Sequence, residues 1–208
     1  MKGDQLELEL LANEVRRRAG VGEDQLELAT RMASRVLGPN AIEMNPALRG
    51  AAYLRSTDSG WQIVANPKSR DLRFHVAHEL GEWALRVLVN FSGSEAERER
   101  AANYIAAAIL APAASVRRAH RNIGDSIVAI AEEFQLSQTA TVLRIAEVVG
   151  DERAVVTKSG NVLVRSQGVF PWADVPIVQI ARGSAWRGLV KTRLSGGIDE
   201  GRVALKAR

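Results

Sequence analysis

The stretch from Arg73 to Leu85, RFHVAHELGEWAL, constrains the fold of this chain more than any other segment. Its apolar residues recur every three to four positions, which predicts a helix of about 18 residues with one side facing a core. That side carries Phe74, Ala77, Gly81, Ala84, Leu85 and Leu88. The rest of the chain must therefore supply a surface on which this helix can pack.

The same stretch contains the pattern H-E-x-x-E. His78 and Glu82 are four residues apart and so share one face of a helix. In H-E-x-x-H the two histidines bind zinc and the intervening glutamate is the general base, a position occupied here by Glu79. A glutamate is also a zinc ligand. The spacing therefore predicts that His78 and Glu82 can hold one metal ion together. A carboxylate in place of the second histidine would offset more of the ion's positive charge.

A third ligand has to come from another element, and the acidic segment ERERAANYIAAAILAP offers Glu97 and Glu99, with Glu95 just before it. The chain contains no cysteine. A transition metal would thus be held by imidazole and carboxylate groups alone. The absence of cysteine also favours an intracellular protein without disulfide bonds.

RFHVAHELGE followed by ERAANYIAAAILAP resembles the ImmA/IrrE family of metallopeptidases, which are gluzincin-like. The resemblance implies His78, Glu82 and Glu99 as ligands of one zinc ion per chain and Glu79 as the catalytic base. It also places Asn103 where it could orient Glu99. The implied activity is site-specific cleavage of a regulatory protein, such as a transcriptional repressor, in a stress response.

The sequence departs from the family pattern at Glu82, where the family has its second histidine. Three interpretations remain open. Glu82 binds zinc directly, or His75, one turn before His78, serves as an alternative ligand. In the third, the metal has been lost and the protein is a pseudopeptidase that binds protein or DNA.

The order of elements indicates an α+β fold. Two amphipathic helices, the second spanning residues 22–38, precede a β-hairpin with a turn at residues 57–60. The metal-binding helix and the acidic helix follow, and Pro112 ends the latter. A pair of helices then surrounds a break at Gln135 and Leu136, with Ser137 as N-cap.

We predict three parts: a zincin-like peptidase core of helices with a small sheet over residues 1–114, a helix-turn-helix-like pair over 115–150, and a small β-rich segment over 151–208. The last part carries 10 Lys and Arg against 5 Asp and Glu. Such a basic segment is suited to nucleic acid or an acidic partner.

The helical pair predicts a second function. In a helix-turn-helix, the second helix lies in the major groove of DNA. The residues that would contact DNA are Gln138, Thr139, Thr141 and Arg144. The alternative is that the pair packs against the peptidase body and reads no DNA.

The longest apolar run, residues 104–116, is too short to span a bilayer and contains a proline. No N-terminal segment has the pattern of a secretion signal. We therefore expect a cytoplasmic protein with no membrane partner. The family resemblance implies a protein substrate.

Overall fold

The computed structural model describes residues 2–22, 26–123, 127–149, 152–156, 162–165, 188–192 and 203–204. The chain divides into two compact units, Met1–Ser115 and Val116–Arg208. The first unit ends one residue after the predicted end of the zincin-like core. The division into three parts stays a prediction.

The first unit contains most of the helices and the first sheet. Its elements in chain order are α1 (Lys2–Arg18), α2 (Ala29–Leu37), β1 (Ile42–Met44), β2 (Ala52–Thr57), β3 (Gly60–Ala65), α3 (Leu72–Val87) and α4 (Glu95–Leu110). A further helix, α5 (Ala113–Ile123), begins at the end of this unit. The α+β fold class is thereby confirmed.

The sheet of the first unit has the order β1-β3-β2. The predicted hairpin is confirmed, because β2 and β3 pair antiparallel with Thr57 opposite Gly60. β1 pairs parallel to β3 and was missed by the sequence analysis, since a three-residue strand in a turn-rich passage has too few positions to show alternation. β2 therefore lies at an edge of this sheet.

The metal-binding helix α3 lies at the centre of the first unit. It packs against α4, α2 and the sheet. From Val76 to Leu85 every residue except His78 is buried. The helix is therefore buried on more than the one apolar side that was predicted. Two glutamates, Glu79 and Glu82, lie among these buried residues, where a carboxylate needs hydrogen-bond donors or positive charges as partners.

Buried Arg16 connects α1 to the rest of the first unit. One guanidinium nitrogen donates to the carbonyl of Ile109 in α4 at 2.7 Å, and another donates to the carbonyl of Gly22 at 2.6 Å. Gly20 ends the turn after α1 with a φ of 66°, a conformation that glycine adopts without strain. The end of α1 was predicted correctly from this glycine.

The predicted second helix is shorter than expected. It begins at Ala29, whereas the sequence analysis began it near Gly22. Leu28 has an extended backbone, and the side chains of Leu26 and Leu28 are exposed. The apolar residues before Ala29 thus meet no core that would hold them in a helix.

The second unit contains the remainder of α5 and the predicted helical pair, α6 (Ile127–Phe134) and α7 (Gln138–Val149). Gln135 has a φ of 52° at the break between them. The amide of Ala140 donates to the hydroxyl of Ser137 at 3.2 Å, the geometry of the predicted N-cap. α5 was not predicted from the sequence.

A second sheet of the order β5-β4-β6-β7 follows, with β4 (Glu152–Val156), β5 (Val162–Arg165), β6 (Gly188–Thr192) and β7 (Val203–Ala204). In this segment the stretch RAVVTKSGNVLVRS is typical of a hairpin, and it corresponds to the antiparallel pair β4 and β5. The turn of this hairpin, and a further β-like stretch over residues 175–181, lie outside the described residues. In the part of the chain that the structure describes, no helix has the length and apolar character needed to cross a bilayer.

Candidate metal centre

Close packing of α3 on α4 brings the candidate ligands together. Gly81 lies against α4, and a Cβ at this position would meet the carbonyl oxygen of Ala102 at 2.9 Å. The missing side chain lets the two backbones approach. Positions 78 and 82 of α3 consequently face position 99 of α4.

Asn103 links two of the candidate ligands. Its side-chain nitrogen donates to Oε1 of Glu99 at 3.2 Å, and its side-chain oxygen lies 3.2 Å from Nδ1 of His78. A carboxylate only accepts hydrogen bonds, so the amide nitrogen must face Glu99 and the amide oxygen must face His78. His78 then carries its proton on Nδ1, and Nε2 offers a lone pair. Nε2 lies 3.6 Å from Oε2 of Glu99, so the two ligand atoms point to the same place.

Glu82 is buried, with 6% of its surface exposed. Two guanidinium groups pair with its Oε2 atom. Arg86, one turn further along α3, donates through two nitrogens, each at 3.2 Å. Nε of Arg98, on α4, lies 3.2 Å from the same oxygen. The desolvated carboxylate is thus compensated by two positive charges.

Glu79 is buried beside this group, with 8% of its surface exposed. Burial raises the pKa of its carboxyl above the usual 4.5, and the carboxylates of Glu82 and Glu99 add to this effect. The backbone N–H of Leu54 in β2 opposes this rise in the pKa of Glu79, as does the charge of His78 whenever that ring is protonated. A carboxyl whose pKa is raised accepts protons closer to neutral pH, as a general base requires.

His78, Glu82 and Glu99 form a group that could hold a metal ion. Each offers one ligand atom, and these atoms all lie within 4.8 Å of one another. Zinc binds imidazole nitrogen and carboxylate oxygen at about 2 Å, so small side-chain movements would bring all three to a single ion. The donor set fits zinc, and the half-exposed Glu99 leaves one side of the site open to solvent.

Comparison with known proteins identifies the family of this chain. The family model of peptidase M78, described as the IrrE N-terminal-like domain, matches residues 36–146, more than half of the chain. This chain belongs to the peptidase M78 family. The ImmA/IrrE resemblance is therefore confirmed. A search of curated proteins found no match.

Among solved structures, a Mycobacterium tuberculosis transcriptional regulator is similar to this M78 protein. The TM-score is 0.60 and the sequence identity is 17%, with 96% of this chain and 73% of the other chain covered. At that identity, the likeness shows a shared fold.

One candidate ligand of this M78 protein lies outside the three-residue group, and several residues that contact the group were not predicted from the sequence. His75 is not part of the three-residue group; its ring meets that of Phe74 edge-on at 6.2 Å. The alternative in which His75 replaces the second histidine is therefore not supported. Arg86 was missed, although its i+4 spacing from Glu82 is a visible signal. The roles of Arg98 and of the Leu54 amide depend on tertiary packing and leave no local pattern.

The structure describes the side chains of two of the four residues predicted to contact DNA. Thr141 and Arg144 are buried, each 1% exposed. The hydroxyl of Thr141 donates to the carbonyl of Ser137, and the guanidinium of Arg144 reaches Glu147. These two side chains do not face solvent, as a groove contact would require. The side chains of Gln138 and Thr139 lie outside the described residues.

Proposed function

We propose that this M78 protein is a zinc-dependent, site-specific endopeptidase of the ImmA/IrrE type that cleaves a regulatory protein such as a transcriptional repressor. The observation that carries the proposal is the convergence of three ligand groups within 4.8 Å, with the buried Glu79 beside them. Family membership supports a metallopeptidase or regulator of this type.

In this proposal His78, Glu82 and Glu99 hold the ion. Asn103 orients two of them, because it accepts from Nδ1 of His78 and donates to Oε1 of Glu99. Such supporting hydrogen bonds fix the tautomer of a histidine ligand and the direction of a carboxylate ligand. When bound, zinc supplies Lewis acidity at the scissile carbonyl.

Glu79 is the proposed general base. Its carboxylate takes a proton from the attacking water and returns it to the leaving amine. The N–H of Leu54 in β2 interacts with this carboxylate and favours its charged form. Because Glu79 is buried against the sheet, bulk water has little access to the proton that it carries.

Edge strand β2 is the proposed place of the substrate backbone. Among the described strands, β2 pairs with β3 on one side only. The register of the two strands places the N–H of Leu54 on the side away from β3, and this N–H interacts with Glu79. An extended peptide that adds to this edge would have its backbone next to the base. A cleavage site in an extended or unfolded segment of the substrate is therefore expected.

The nature of the substrate is inferred from the family and from the composition of the chain. A regulatory protein is proposed from the family resemblance, and the structural neighbour in Mycobacterium tuberculosis is described as a transcriptional regulator. A cytoplasmic substrate fits a chain without cysteine.

Labelling of new protein N-termini in cells that express wild-type or Glu79→Gln protein tests the proposal. We expect at least one cleavage product that appears with the wild type and disappears in the variant. Glu95→Gln, an exposed change on α4, is the matched control and should leave the product unchanged. Identical termini in wild-type and Glu79→Gln cells, under every stress applied, would contradict peptidase activity.

A second candidate function is a metal-free pseudopeptidase that acts as a protein- or DNA-binding regulator. One observation favours it: Arg86 and Arg98 already pair with Glu82, the residue that departs from the family pattern. In this alternative the arginines replace the ion as the partners of the carboxylate. The absence of metal binding in the wild-type protein would favour this alternative.

A further inference from the structure

The two arginines that pair with Glu82 contact the same atom of its carboxylate. Arg86 and Arg98 both reach Oε2 at 3.2 Å. Among the described residues, no hydrogen bond or ion pair engages Oε1. One oxygen is therefore occupied by cations, while the other remains available to a ligand.

We propose that Arg86 and Arg98 are positioning residues that make Glu82 act as a one-oxygen metal ligand in place of a histidine. The inference rests on the proposed function. A carboxylate can bind a metal through one or both oxygens, whereas a histidine offers one nitrogen. With Oε2 held by the arginines, Glu82 contributes a single donor atom, as the histidine of H-E-x-x-H does.

The arginines also offset the additional negative charge that Glu82 brings to the site. A site of one histidine and two glutamates carries one more negative charge than a site of two histidines and one glutamate. That additional charge would weaken the Lewis acidity of a bound ion. Two guanidinium groups at 3.2 Å from Glu82 offset it. The replacement of histidine by glutamate is thus compensated by residues outside the H-E-x-x-E pattern.

The packing of the two helices explains how both arginines reach one oxygen. Arg86 lies one turn after Glu82 on α3, an i,i+4 spacing that places the side chains next to each other. Arg98 is on α4, where the contact of Gly81 with Ala102 holds the helices together. Arg86 donates hydrogen bonds to Oε2, and Arg98 places a positive charge beside the same oxygen, a charge that a guanidinium group keeps at any physiological pH.

Cobalt(II) substitution tests this inference without any need for a substrate. The d–d absorption of cobalt is intense in four-coordinate sites and weak in sites of higher coordination number. The variants are Arg86→Met, Arg98→Met and the double substitution, with Arg100→Met as the control, because Arg100 is an exposed arginine of α4. Unfolding curves establish that each variant is folded, and the half-exposed Arg86 should tolerate replacement alone.

We expect the double variant to lose band intensity, because Glu82 can then bind through both oxygens. Its affinity for cobalt should also rise by on the order of tenfold, since two cations near a cation site have been removed. Arg86→Met should show an intermediate spectrum, and Arg100→Met should match the wild type. A spectrum and affinity unchanged in every arginine variant would overturn the inference and leave the metallopeptidase proposal intact.

Two other outcomes bear on both proposals. Cobalt binding by the double variant but not by the wild type would show that the arginines occupy the place of the ion, which overturns the inference and favours the pseudopeptidase. No cobalt binding by any folded variant or by the wild type would overturn the inference and the metallopeptidase proposal together.

Discussion

Gly81 of α3 lies so close to Ala102 of α4 that a Cβ at position 81 would meet the Ala102 carbonyl oxygen at 2.9 Å. Both nearest atoms at this contact belong to the backbone of Ala102, so no side-chain rotation can relieve it. The spacing of the two helices, and with it the distance from His78 to Glu99, depends on this glycine.

Gly81→Ala should therefore destabilise the protein. Overpacking costs about 1–3 kcal/mol, and the helix propensity of alanine offsets at most about 1 kcal/mol. Chemical denaturation measures the change, and zinc affinity should fall with it because the ligands move apart. Gly50→Ala is the control, since a Cβ there meets no atom within 4 Å. Equal stability of the two variants would show that the helices are not fixed at this contact.

Asn103→Ala should weaken metal binding with little loss of stability. The change removes the hydrogen bonds that orient His78 and Glu99. Loss of such supporting contacts lowers metal affinity by roughly 10–100-fold. Competition with a chromogenic chelator measures the affinity, and Asn122→Ala, exposed on α5, is the control. Wild-type affinity in Asn103→Ala would mean that the ligands hold their orientation without it.

The start of α4 predicts a pH dependence of stability. The hydroxyl and the backbone N–H of Ser94 donate to Oε2 of Glu97 at 2.7 Å and 2.8 Å, and they hold the pKa of this carboxyl below its usual 4.5. As the pH falls, the unfolded chain takes up this proton first. The stabilisation is complete above about pH 4.5 and is lost as the pH falls through the folded pKa.

Glu97→Gln should therefore flatten the acid side of the stability curve, because glutamine does not titrate. Thermal unfolding between about pH 6 and pH 3 measures the slope. The control is Glu95→Gln, in the same helical turn but outside the capping box, and its slope should match the wild type. A Glu97→Gln curve parallel to the wild-type curve would refute the role of Glu97.

Much of the site followed from local spacing. The i,i+4 pair His78 and Glu82 was visible because one helical turn places the two side chains together. Glu99 was chosen by family resemblance from three glutamates, and the structure brings it to the pair. Spacing alone could not decide among these glutamates, because the packing of α4 against α3 determines which of them reaches the pair.

The parts that were missed depend on contacts between distant segments. Strand β1 forms because Ile42 pairs with Ile63 across the sheet, and three residues carry no periodic signal of their own. Arg98 reaches Glu82 from another helix. The burial of Thr141 was likewise not predicted, because the sequence around it is typical of a recognition helix.

The metal content of the purified protein, measured by mass spectrometry, tests the central claim most directly. The account predicts about one zinc ion per chain in the wild type. It predicts loss of the ion in Glu82→Ala and in Glu99→Ala, with full retention in Glu95→Ala. A folded wild-type protein that takes up no zinc, even when zinc is added in excess, would contradict the account.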